Sequence, residues 1–111
     1  MEEDMSYRYM RLMVFFDLPT LTVADGQNYR RFHKFLIKNG FIMTQYSVYS
    51  KLVLNATQAK TVRDLLVKNV PEKGLVQCLQ ITERQFASIE YLAGKSQSRI
   101  IDTDERWVEI E

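Results

Sequence analysis

The run Arg11-Leu-Met-Val-Phe-Phe-Asp17-Leu-Pro19 constrains the fold of this chain more than any other stretch. Leu12 to Phe16 reads as a short strand with apolar side chains on both faces, the pattern of a central strand in a sheet covered by helices. Pro19 has no amide proton to give to a ladder, so the strand stops before it. Asp17 is left at the C-terminal edge of the strand, where α/β-type sheets carry their chemistry. Asp is also a common turn-former, and on this motif alone that simpler role is favoured.

The rest of the chain supplies partners for that strand. Tyr29, Phe32, Leu36 and Phe35 are spaced for a helix over about 28–39, stopped by Gly40, after a loop from Thr20 to Gly26. Arg30, Lys34 and Lys38 recur every four residues and Arg31 widens their stripe, so this helix buries one side and shows a cationic one. Phe41 to Leu54 alternates aromatic and β-branched residues. It reads as two strands joined tightly near Tyr46-Ser47, or as one long bent strand, since no Asn-Gly or Asp-Gly marks the turn. A second helix is expected over about 57–69, capped by Asn55 or Thr57 and buried along Ala59, Val62, Leu66 and Val70. Leu75 to Ile81 is another strand, and Thr82-Glu-Arg-Gln85 has the form of a capping box for a helical turn over about 83–88. Ile89 to Ala93 reads as a fifth strand. A polar loop or disordered stretch follows to Asp104, then a last strand containing Trp107, Val108 and Ile110.

Strand, helix, strand, strand, helix, strand is the split βαβ order. The expected fold is therefore α+β, a ferredoxin-like βαββαβ sandwich over 1–94, with additional C-terminal strands in an extension over 95–111. Such a domain closes its core without two late strands. They are expected to pair with a second copy of the chain, giving a homodimer.

Composition narrows the function. The chain has 111 residues, 46% of them hydrophobic, which suits one folded domain and excludes a disordered chain. It has no long apolar run and no signal-peptide pattern, so a soluble, cytoplasmic protein without membrane contact is expected. The one cysteine, Cys78, excludes an internal disulfide framework or a Cys-rich zinc cage, and is expected in the core. His33, the only histidine, sits among basic neighbours and reads as a helix-surface residue rather than a general base. The net charge of +1 hides an asymmetry. No acid occurs between Asp25 and Asp64, a window holding Arg30, Arg31, Lys34, Lys38, Lys51, Lys60 and Arg63, while acids gather at both ends. A basic middle suggests a surface for a polyanion; the alternative is a solvated face that binds nothing.

Several chemistries are missing. The Lys/Arg-Gly-aromatic run of an RNA-recognition module does not occur. The four glycines stand apart, so no phosphate-cradling loop exists. The lone histidine has no place in a nucleophile triad. What remains is a carboxylate at a strand end and a cationic helix. One Asp is too few ligands for a tight magnesium site. Near the axis of a dimer, however, two copies of Asp17 would repel, and either a shared proton or a cation must relieve the strain; a cation there could activate water against a phosphodiester.

Three stretches carry a resemblance: Leu12-Met-Val-Phe-Phe-Asp17-Leu-Pro-Thr20, Gly40-Phe-Ile-Met-Thr-Gln-Tyr-Ser-Val-Tyr49 and Gly74-Leu-Val-Gln-Cys-Leu-Gln-Ile-Thr-Glu-Arg-Gln-Phe86. Through them nearly the whole chain resembles the CRISPR-associated Cas2 family, in the branch found in type II-A systems. A Tyr often precedes the first-strand Asp in that family, and here it is Phe16. The resemblance implies a ferredoxin-like homodimer whose C-terminal strands cross to the partner. It implies a subunit that bridges Cas1 integrase dimers and holds a double-stranded prespacer DNA for insertion into the CRISPR array. It also implies a magnesium-dependent endonuclease acting on single-stranded RNA or double-stranded DNA, with one Mg2+ per dimer. The family's metal-ligand Asp falls on Asp17 and its Ser on Ser47, for which a hydroxyl satisfied in a strand turn is the simpler role. The bridging, DNA-holding role is the leading expectation, with Arg30, Arg31, Lys34 and Lys38 tracking phosphates. Ile89, Tyr91, Leu92, Trp107, Val108 and Ile110 are expected to make dimer or partner contacts.

Overall fold

The computed structural model describes residues 9–94. Its elements are β1 (Met10–Asp17), α1 (Val23–Lys38), β2 (Ile42–Gln45), β3 (Val48–Val53), α2 (Ala56–Asn69), β4 (Leu75–Thr82) and the short α3 (Glu83–Ala87). The strands form one antiparallel sheet in the order β2-β3-β1-β4. β1 is thus central, as its two-sided apolar pattern predicts, and the ferredoxin-like βαββαβ order holds.

The register sorts every strand residue onto one of two faces, because directly opposed residues point the same way. Leu12, Val14 and Phe16 of β1, with Tyr49 and Val53 of β3, face the helices, and Phe32, Leu36, Ala59 and Leu66 close the core over them. Phe16 is wedged among Tyr29, Phe32 and Tyr49, with ring centroids 5.9, 5.2 and 5.5 Å away. The opposite face carries a row Ile42–Ser50–Met13–Leu79 across all four strands, with Phe15, Leu52, Ile81 and Leu75 around it. Ile42 and Leu52 are each 38% exposed, Leu79 51% and Leu75 55%. Ser50 is buried in this row, and its hydroxyl has no hydrogen-bond partner.

Several expectations are corrected. α1 begins at Val23, not near Asn28, so residues expected in a loop, including Gly26, are helical. The cause is a capping box: Thr22 Oγ1 accepts from Asp25 N at 3.0 Å, and Asp25 Oδ2 accepts from Thr22 N and Leu21 N, each at 3.1 Å. These backbone donors hold the Asp25 carboxyl below its usual range. Ile89–Ala93 forms no strand. Its apolar side chains are exposed, Ile89 46%, Tyr91 50% and Leu92 92%, so among the described residues little burial repays the cost of ordering them in a strand. Cys78 is exposed rather than core, because α2 covers β4 only in part; the packing it does have pushes its thiol up. Val70 caps the end of α2 and is exposed rather than buried. Residues 95–111, with Trp107, Val108 and Ile110, lie outside the described residues.

The remaining boundaries agree with the expectations. The Phe41–Leu54 stretch is two strands with the tight turn at Tyr46-Ser47, and Asn55 caps α2 by accepting from Gln58 N at 2.8 Å. Gly40, at φ +88°, stops α1. The capping box at Thr82 and Gln85 forms and starts α3. α3 is tied back to the start of β1 by Arg11, which binds Glu83 through two bonds of 2.9 and 2.6 Å and lies 4.2 Å over the Phe86 ring.

Candidate functional site

Asp17 is the last residue of β1 and is exposed. It belongs to the partly covered sheet face, being of the same parity as Met13 and Phe15. On one side it pairs with Leu75 of β4. On the other side the β1–β3 ladder, which sets Phe15 against Val48, continues for one more bond: Phe16 N donates to Ser47 O at 3.0 Å. The hairpin turn thus abuts the strand end, with the Ser47 main chain bonded to Phe16, the residue before Asp17. Ser47, the second residue of the turn, takes a left-handed backbone, φ +64°, which a non-glycine residue adopts at some cost. Thr44 braces the turn by donating its hydroxyl to Val48 O at 3.0 Å.

A third segment approaches the same spot. Gly74, at φ +96°, lies so near that a Cβ there would stand 2.8 Å from Asp17 O and 2.8 Å from Leu18 Cδ2. Asp17 is therefore held from both flanking strands and from the segment that leads into β4. Its neighbours Phe16 and Leu18 are buried. A solvated carboxylate on so fixed a backbone is suited to a cation or to a hydrogen-bond donor. Within one chain the donor set is small. Among the described residues no three His, Cys, Asp or Glu side chains cluster to hold a metal. Among the described residues the strand end thus offers a magnesium ion the single carboxylate of Asp17, and the rest of an octahedral shell has to come from a second copy, water or substrate phosphate.

The cationic stripe of α1 is present as expected. Arg30, Arg31, Lys34 and Lys38 are all exposed, and Arg31 also donates to Asn28 Oδ1 at 2.9 Å. Of the other basic residues, Lys60 is paired with Asp64 at 2.9 Å and Arg63 donates to Gln80 at 2.6 Å. His33 differs from the expected surface residue. It is half-buried, and the Tyr49 hydroxyl meets its Nδ1. Burial pushes the Tyr49 phenol up and the His33 imidazole down from their ordinary values, so the bond joins two neutral groups. This bond ties the cationic helix to the ring that stacks on Phe16.

Comparison with known proteins points one way. The family described as CRISPR associated protein Cas2 matches residues 10–89. A protein of Treponema denticola named CRISPR-associated endoribonuclease Cas2 is 50% identical over 99 residues, covering 89% of this chain and 98% of its own. A protein of the same name from Streptococcus mutans is 44% identical over 99 residues, covering 89% and 91%. The solved structure titled "Crystal structure of cas2" superposes with a TM-score of 0.56 at 21% identity, over 81% of this chain and 92% of that one, and so shares the fold.

Proposed function

The chain belongs to the CRISPR-associated Cas2 family, and from that premise we propose that it serves spacer acquisition: a homodimer that bridges Cas1 integrase dimers in the prokaryotic cytoplasm and holds prespacer duplex DNA for insertion into the CRISPR array. The observation that carries this reading is the α1 stripe. Four cationic side chains stand exposed on one rigid helix, in a stretch of sequence with no acid from Gly26 to Arg63. Such a stripe binds phosphates without reading bases, which suits a protein that must accept any foreign fragment. The apolar sheet face supports the homodimer, since a second copy seated there would cover Leu79 and Ile42 and offer the Ser50 hydroxyl a partner. Ile89, Tyr91 and Leu92 add exposed apolar surface for dimer or integrase contacts, a role the proposal extends to Trp107, Val108 and Ile110. Among the described residues no helix is long and apolar enough to cross a membrane.

The test is a salt-titrated duplex-binding measurement on a variant with Arg30, Arg31, Lys34 and Lys38 all changed to Glu. Binding should weaken for every duplex sequence, by about 1,000-fold or more if all four contact phosphates, and its salt dependence should flatten. An unchanged salt slope places the DNA elsewhere.

A second reading is favoured by the endoribonuclease names of the relatives and by the meeting of Asp17 with the Ser47 turn. In it, the Asp17 carboxylates of two copies hold one Mg2+, and the chain is a magnesium-dependent endonuclease on single-stranded RNA or double-stranded DNA. A magnesium ion supplies charge neutralisation at the phosphodiester and a more acidic bound water. The chain's own part is to fix the carboxylate and to orient a water or phosphate oxygen with Ser47.

A further inference from the structure

His33 is the one histidine of the chain, and neither reading above uses it. It stands on α1 at the border of two faces. Its neighbours one helical turn away are Tyr29 and Leu36 on the core side, and Arg30 and Ile37 on the exposed side. The ring is accordingly half-buried. Its Nδ1 meets the Tyr49 hydroxyl, and the two rings stand edge to face with centroids 5.8 Å apart. Tyr49 is 1% exposed and stacks on Phe16, so the bond pins the imidazole to a fixed point of the core. What is buried decides the direction of that bond. Among the described residues the Tyr49 hydroxyl has no other hydrogen-bond partner, so a phenol that only accepted would leave its own proton buried and unpaired. The phenol therefore donates, Nδ1 accepts, and the ring proton sits on Nε2. The two nitrogens of an imidazole point apart. With Nδ1 turned in toward β3, Nε2–H turns away from the core, toward the cationic side of the helix.

We propose that His33 is a further phosphate contact on the cationic side of α1, that its Nε2–H is the donor, and that Tyr49 is the positioning residue that aims it. The assignment rests on the duplex-binding reading above and deepens it, because it makes the grip depend on pH. A neutral imidazole gives a phosphate oxygen one hydrogen bond and no charge. A protonated one gives the same bond and a charge, and it keeps its place, since Nδ1 then donates to the Tyr49 oxygen instead. The groups around the ring set the direction of the effect. From β3 come the Tyr49 hydroxyl and, farther along the same face, Lys51, which reaches the Gly40 end of α1. β2 carries no ionisable side chain, and β1 turns Leu12, Val14 and Phe16 toward the helices. The helix itself brings Tyr29, Arg30 and Lys34, and its acid, Asp25, is engaged in the N-cap. The acid of α2, Asp64, is paired with Lys60. With no carboxylate to favour the charged ring, burial holds its pKa down. A bound phosphate supplies the missing anion, so duplex binding should draw a proton onto His33.

The experiment follows the anisotropy of a labelled blunt duplex of about twenty base pairs, with the full chain, at fixed salt and without divalent ion, from about pH 8 to about pH 5.5. Affinity of the wild type should rise as pH falls, by about three- to tenfold. His33→Gln, with an unchanged circular dichroism spectrum, should lose the rise. His33→Ala should lose it too, and should bind about tenfold more weakly already at the alkaline end. Nitrogen-15 spectra of the ring should show the Nε2–H tautomer in the free wild type and a shift when duplex is added. In Tyr49→Phe they should show a mixture of tautomers. A rise that persists in His33→Gln overturns the proposal, and so does a His33→Ala variant that binds like the wild type throughout. An Nδ1–H tautomer in the free wild type overturns the aiming by Tyr49. Wild-type protein that binds duplex equally across the range, with a ring that the duplex leaves unmoved, overturns the histidine contact alone. Wild-type protein with no affinity for duplex at any pH overturns the nucleic-acid reading as well.

Discussion

Asp17 is solvated, but the residues on both sides of it are buried and its main chain is held from three directions. Removing its carboxylate leaves those supports intact. Asp17→Ala should therefore match the wild type in circular dichroism, in duplex affinity and in array insertion with the integrase. Any metal-dependent cleavage by the wild type should vanish in it. A folded variant that binds DNA but no longer supports insertion would move the second reading ahead of the first. His33 gives a prediction of a different kind. Burial holds it below 6.5 in the folded chain, so the unfolded chain takes up a proton that the folded one refuses. The corresponding stability is present above pH 6.5 and is lost as pH falls through the depressed folded value. Denaturant midpoints should drop across that window, and His33→Gln should flatten the drop. At this scale the sequence shows Asp17 well, because an acid between an apolar run and a proline breaks a pattern. It hides the His33–Tyr49 bond. A contact across sixteen positions leaves no periodic mark.

Among the elements, the β2–β3 hairpin and the segment before β4 determine where the carboxylate sits. Gly74 is the sensitive point, since any Cβ there collides with the backbone of Asp17 while φ is +96°. Gly74→Ala should cost about 1–3 kcal/mol in chemical denaturation. It should also disturb the Asp17 amide in nuclear magnetic resonance spectra more than amides at the far end of β1. Element types were legible wherever periodicity was strong, and α1, α2 and the four strands follow from it, while the turn at Tyr46-Ser47 was one of two readings that the sequence left open. The start of α1 was not. Its capping acid is Asp25 rather than the usual Glu or Gln, and Gly26 inside the first turn reads as loop. The expected strand at Ile89–Ala93 shows the limit of reading a strand from its own residues: apolar content gives it a tendency, but a strand also needs an edge to pair with.

At the scale of the whole molecule, α1 and α2 pack on one sheet face, covering β4 only in part, and among the described residues the other face is apolar and partly exposed. The homodimer proposed above seats its second copy on that second face. Leu79→Glu tests this, because Leu79 lies in the central row of the face and outside the helix-side core. Light scattering should report a single protomer for the variant and a pair for the wild type, with matching circular dichroism. A variant that still pairs would show that the copies meet through other surfaces. The split βαβ order was readable from the sequence because each element announces itself. The uncovered face was not: the alternation along β4, Leu75, Gln77, Leu79, Ile81 against Val76, Cys78, Gln80, assigns two faces without saying which one the helices take.

The central place of β1 also governs when the chain becomes competent during synthesis. The strand with Asp17 is made before the other three strands of its sheet, yet one of its two borders is β4, which ends at Thr82. Until that late strand has left the exit tunnel and docked, Leu75 and Gly74 cannot fix the carboxylate, and pairing so distant in sequence is slow to form. A nascent or truncated product that lacks β4 should therefore leave its acidic group unplaced.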